Sequence, residues 1–189
     1  MDKFWFRVLI VAAFLLPSLF CPNAVAQEVV ERPPRKTFMM LDAAYSVAPQ
    51  WSFGVTVGQL GHFGWMANVM VHPHFHTGYD YKCDNTGWVG ESRPFYTGKT
   101  ATNRWSVTAG PTARLHEYIH AYAAIGFGQR NVFWQMEGGQ WAKNMESSVE
   151  GVELETGLIF IVFGNPISIG VKSVSFKQTE YKIGLGMYF

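Results

Sequence analysis

From Thr37 to Phe189, apolar side chains recur on every second position in one stretch after another. Nothing else in the sequence limits the fold as strongly. A period of two puts alternate side chains on opposite faces of an extended strand, and helix-period patterns are scarce. Residues 181–189 show the pattern plainly. Tyr181, Ile183, Leu185, Met187 and Phe189 alternate with Lys182, Gly184, Gly186 and Tyr188. Seven earlier stretches repeat it, starting near Thr37, Trp51, Phe63, Arg104, Ile119, Val152 and Ile167. In the second, Trp51, Phe53, Val55 and Val57 oppose Ser52, Gly54, Thr56 and Gly58. The expected fold is therefore all-β, an eight-stranded antiparallel up-and-down transmembrane barrel over residues 37–189.

The head of the chain is a processing segment. Lys3 and Arg7 precede an apolar run from Val8 to Leu16, too short for a membrane-spanning helix. Pro17 interrupts it, and Ala24-Val25-Ala26 is a small-x-small cleavage site. Residues 1–26 are expected to leave as a signal peptide, and 27–36, with Pro33-Pro34, to form a periplasmic lead-in. A lipoprotein anchored at Cys21 would want a small residue before it, where Phe20 stands. Removing Lys3, Arg7 and Asp2 from the totals of 15 basic and 14 acidic residues leaves the rest balanced. A nucleic-acid partner, which needs a basic face, is excluded on that ground. With Cys21 removed, Cys83 has no partner for an internal disulfide and reads as an unpaired loop thiol.

Connection lengths support a membrane barrel. The longest polar stretches, His76 to Asn103 and Trp134 to Ser147, follow the third and fifth strands. A chain that starts in the periplasm is outside the cell after odd-numbered strands, so long external loops and short periplasmic turns result. A soluble lipocalin-like ligand-binding barrel is the structural alternative, with its apolar face inward. Its outer faces would need more charge than the 15% of charged residues in the whole chain. The aromatic share of 16% suits girdles at both membrane interfaces, with Tyr45, Trp51 and Trp105 outermost and Phe63, Trp65, Tyr118 and Phe189 near the periplasm.

The inward phase carries Asp42, Arg104, Arg114, Arg130, Glu153, Glu155, Lys172 and Lys182, together with His120. An eight-stranded barrel has room only for side chains. Charges there have to pair, and Glu153 and Glu155 are expected to meet the arginines of the fourth and fifth strands and Lys172. His72, His74 and His76 share one face of an extended chain and are a candidate zinc or copper site. Their spacing of about 7 Å per pair is wide for one ion unless the chain bends at Pro73. No cofactor is expected. A lipid A-modifying enzyme, acyltransferase or deacylase, is the competing functional class. It needs a nucleophile beside a base. His120 and Ser106 fall at different depths, His74-Phe75-His76-Thr77 lacks the serine of a deacylase's His-x-Ser, and the lead-in holds no amphipathic helix.

The signal peptide, eight alternating stretches and glycine-containing closing strand resemble the OmpA/OmpX-type small outer-membrane barrels, over about Thr37 to Phe189. The resemblance implies a bacterial outer-membrane location, with outer-membrane lipid as surroundings. It implies that the terminal aromatic strand is read by the outer-membrane assembly machinery, a pattern that falls on Tyr181, Gly184, Leu185, Met187 and Phe189. Members serve as adhesins, envelope-stabilising proteins or receptors. The expected function is a structural or surface-interaction role through the external loops, toward an extracellular ligand or surface partner.

Overall fold

The computed structural model describes residues 35–46, 50–72 and 78–189. The expected signal peptide and nearly all of the expected lead-in lie outside them. The described residues form nine strands: β1 (Lys36–Ser46), β2 (Gln50–Leu60), β3 (Phe63–Val71), β4 (Tyr81–Cys83), β5 (Tyr96–His116), β6 (Ile119–Met136), β7 (Trp141–Val162), β8 (Asn165–Val174) and β9 (Gln178–Tyr188). All but β4 are staves of one antiparallel barrel, ordered β7-β6-β5-β3-β2-β1-β9-β8 and closed by β7 against β8. Closure leaves these staves no free edge within the barrel wall, which a lipid environment demands of every backbone N–H and C=O. The pairing of β1 with β9 runs from Phe38↔Tyr188 to Ser46↔Glu180.

Side-chain phase identifies the solvent on each face. In β1, Met39, Leu41 and Tyr45 are exposed, whereas Phe38, Met40, Asp42, Ala44 and Ser46 are buried. In β9, Tyr181, Ile183, Leu185 and Met187 face out, while Glu180 and Lys182 are buried. The wall is apolar outside and charged inside. That is the inverse of a lipocalin-like barrel and excludes it. Trp51, Trp65, Phe63, Tyr118 and Phe189 are exposed as girdle residues require.

At one end the staves join through two-residue turns, Gly61-His62, Glu117-Tyr118 and Phe163-Gly164. Phe163 (φ 50°) and Gly164 (φ 79°) both adopt left-handed backbone, which matches the twist of a tight hairpin. At the other, outer end the wall is uneven. β8 and β9 are joined low, through Ser175–Lys177, whereas β5, β6 and β7 rise well beyond it.

Two sequence expectations change here. The stretch from Trp134 to Ser147 is not a loop. β6 continues to Met136 and β7 starts at Trp141, with Phe133↔Lys143 and Trp134↔Ala142 in register. Nor is all of His76 to Asn103 a loop, since β5 starts at Tyr96 and pairs with β6 from there. Above the membrane neither sheet face meets lipid, so the large-against-small alternation that marks a spanning strand fades. The backbone pairing continues without it.

Candidate functional site

The lumen is filled in two layers. Toward the periplasm, Phe38, Met40, Leu60, Met66, Tyr122 and Ile159 form an apolar plug. The sequence does not mark this layer as a unit. Above it, the charged side chains meet. Lys172 Nζ lies 2.8 Å from Glu153 Oε1 and 3.6 Å from Glu155 Oε2. Lys182 Nζ pairs with Glu155 Oε1 and stands 3.7 Å from Asp42 Oδ1. Arg104 Nη2 lies 3.3 Å from Glu153 Oε2 and 2.9 Å from Glu180 Oε2. All seven groups are essentially shielded from water.

Neutral partners extend the network. Asp42 Oδ2 accepts from Thr56 Oγ1 at 2.5 Å and Asn68 Nδ2 at 2.9 Å. Thr108 Oγ1 donates to Glu155 at 2.7 Å, and Lys172 Nζ donates to Asn68 Oδ1 and Ser106 Oγ at 2.9 and 3.0 Å. Lys182 also sits 5.4 Å from the centroid of the Tyr122 ring, which ties this layer to the plug below. Gly128 makes space for Glu153, because a Cβ there would overlap Glu153 Oε2. Such pairing lowers the cost of burying charge, since an unpaired one costs several kcal/mol, while Arg104 Nε and Nη1 keep no hydrogen-bond partner among the described residues.

Of the expected inward charges, Asp42, Arg104, Glu153, Glu155, Lys172 and Lys182 come together. Arg114 does not. It sits half-buried near the periplasmic end, opposite His120, and makes no ion pair among the described residues. Arg130 lies at the outer mouth, where its Nε donates to Gln50 Oε1 at 3.1 Å. Glu180 was missed, although it takes part directly. It lies two residues inside β9, and the start of a strand is where phase is hardest to read.

The outer end carries the other candidate surface. β7 above Gly151, β6, β5 and the short parallel strand β4 make a flap above the membrane. Residues 84–95 fold over one face of it. Cys83, Met136 and Ala142 form a small core there, flanked by Val89, Tyr96 and Trp134. Cys83 is unpaired among the described residues, as expected, but it ends β4 and is buried instead of lying on a loop. Burial pushes its pKa up, and burial together with the neighbouring Cys83 pushes the Tyr96 hydroxyl up to about 12. The loop starts at Asp84, whose Oδ1 accepts from Trp88 N and Thr86 N at 2.9 Å and from Thr86 Oγ1 at 2.8 Å. These bonds, Trp88's first, hold the carboxyl below its ordinary pKa. Tyr79, Tyr81, Trp88 and Phe95 remain exposed on the flap.

Of the three histidines, His72 is described, with Nδ1 at 2.6 Å from the Trp51 carbonyl oxygen. His74 and His76 lie outside the described residues. His120 is buried eight positions along β6 from Gly128, the register partner of Ser106, so the two do not form a nucleophile–base pair. In the closing strand, Tyr181, Leu185, Met187 and Phe189 are exposed on the outer face. Gly184 points inward, and a Cβ there would overlap Asp42 and Ser168.

No protein-family model and no curated protein sequence matches this chain. Solved structures do match. Ail, the attachment invasion locus protein of Yersinia pestis, seen in complex with the heparin analogue sucrose octasulfate, superposes with a TM-score of 0.55 at 15% identity, over 82% of this chain and 97% of that one. The chain has the fold of a bacterial outer-membrane β-barrel. The N-terminal β-barrel domain of Pseudomonas aeruginosa OprF superposes with a TM-score of 0.46 at 12% identity, over 82% of this chain and 97% of that one. At such identities the likeness is one of fold.

Proposed function

We propose that this outer-membrane barrel serves at the cell surface, as a structural scaffold that presents its flap to an extracellular partner. The observation that carries the reading is the flap itself: three staves extended past the low rim, stiffened by β4 and a packed loop, with Tyr79, Tyr81, Trp88 and Phe95 exposed. Exposed aromatic anchors on a rigid support are what a contact surface needs. The lumen offers no comparable opening, because the apolar plug and the ionic layer fill it.

The flap's charge narrows the partner. Residues 78–103 and 131–152 hold Lys82, Arg93, Lys99 and Lys143 against Asp80, Asp84, Glu91, Glu137, Glu146 and Glu150. Ail binds a polysulfated heparin analogue, but a surface with this acidic balance suits a partner read through ring and hydrogen-bond contacts, a protein or a neutral glycan. Outer-membrane lipid surrounds the apolar belt in this reading. The assembly machinery reads Tyr181, Gly184, Leu185, Met187 and Phe189 after a cleaved signal peptide has directed export.

Cells displaying the protein with Tyr81, Trp88 and Phe95 replaced by alanine are expected to lose adhesion to protein- or glycan-coated surfaces, with extracted lipid A unchanged in mass. Adhesion equal to wild type would defeat the contact reading. A lipid A mass that depends on the barrel would favour the enzyme class instead.

A further inference from the structure

The outer mouth holds a feature the flap does not explain. The register between β6 and β7 jumps from Arg130↔Val149 to Val132↔Asn144, so Met145 to Ser148 stand against Asn131 alone. Bulges of this sort re-aim side chains and gather beside functional sites. Val132 N donates to Ser148 Oγ at 3.0 Å, so the bulge is held in place. On the other edge of β7, pairing with β8 begins only at Glu153↔Val174, and β4 covers only Ala142 to Asn144. The wall is therefore notched between those two points, and the low turn at Ser175–Lys177 faces the notch.

A cleft of about 330 Å³ occupies it. Arg130 and Lys177 supply two cations, Glu146 one carboxylate, and Ser46, Gln178 and Thr179 neutral polar groups. Arg130 is anchored from behind by Gln50. Gln178 Nε2 donates to Ser46 Oγ at 3.3 Å and to Glu180 Oε1 at 3.2 Å, which fixes that side chain beside the cleft.

We propose that this notch binds a single sugar unit carrying one carboxylate or phosphate group. Its volume is at the small end of ligand sites, and its lining mixes charged and polar groups with apolar surface. Amide and hydroxyl groups that both donate and accept match sugar hydroxyls. The Arg130 guanidinium and Lys177 match one anionic group, and Glu146 disfavours a second. The site goes beyond the flap's contact role and does not depend on it.

The test uses the folded full barrel in detergent micelles, titrated by NMR with glucuronate, glucose 1-phosphate, neutral glucose and inorganic phosphate. Both anionic sugars, or one of them, are expected to bind with millimolar affinity, about tenfold or more tighter than glucose or inorganic phosphate. Which of the two is preferred separates a carboxylated sugar from a phosphorylated one. Lys177→Gln and Arg130→Gln are each expected to weaken binding about tenfold, in samples whose heat-dependent gel shift shows a folded barrel. The proposal falls if neither anionic sugar binds at about 10 mM, if glucose or inorganic phosphate binds equally well, or if folded Lys177→Gln, which alters only an exposed turn, keeps wild-type affinity.

Discussion

Glu155 holds two lysines at once, Lys172 and Lys182, and accepts from Thr108. Replacing one partner of a buried pair costs more than the pair's net worth, because the other charge is stranded. Glu155→Gln is therefore expected to destabilise the folded barrel by about 3 kcal/mol, the low end for a broken buried pair because Glu153 and Asp42 still face the lysines. Urea unfolding in micelles would measure it, and a loss under about 1 kcal/mol would show that the network is wet or already broken. That charges had to pair inside was legible in the sequence, since Lys172 and Glu155 fall on the inward phase of clean alternations. The pairing itself was not. Glu180 on β9 and Arg104 on β5 stand on opposite sides of the ring, and they meet only because closure brings both side chains into one narrow lumen.

At the scale of the element, the flap loop and the closing strand make separate predictions. The Asp84 carboxyl is lowered by bonds it accepts in the folded loop, so its contribution to loop order is present above the unfolded carboxylate value of about 4 and is lost as pH falls through the folded value. The Trp88 amide signal is expected to hold its position down to about pH 4 and shift below it. In Asp84→Asn that transition should vanish, and a transition that persisted would assign it to another group. The packed loop also predicts that Cys83 reacts with thiol reagents only slowly until the protein is denatured. Labelling at the rate of an open thiol would mean that residues 84–95 do not cover it. For β9, deleting Phe189 is expected to reduce the amount of assembled barrel more than any loop substitution does, read from the heat-shifted band of outer-membrane fractions.

For the whole molecule, a lumen closed by an apolar plug and an ionic layer predicts no porin-like conductance in planar bilayers. Large, sustained single-channel steps would contradict the filled interior. The same fraction should shift on a detergent gel between heated and unheated samples, as a closed barrel resists detergent until its ladder is broken by heat.

The number of staves, their phase and their membrane character were all present in the sequence, because lipid on one side and a narrow lumen on the other force a period of two on each stave. Local chemistry alone writes that pattern. Where both faces meet water, the pressure disappears, so the upper reaches of β5, β6 and β7 read as loops although they pair as strands. Burial of Cys83, the partners of Glu180 and the bulge at Met145 to Ser148 were decided only in three dimensions. Each depends on which distant stave or loop lies alongside, and register between strands is a property of the closed ring.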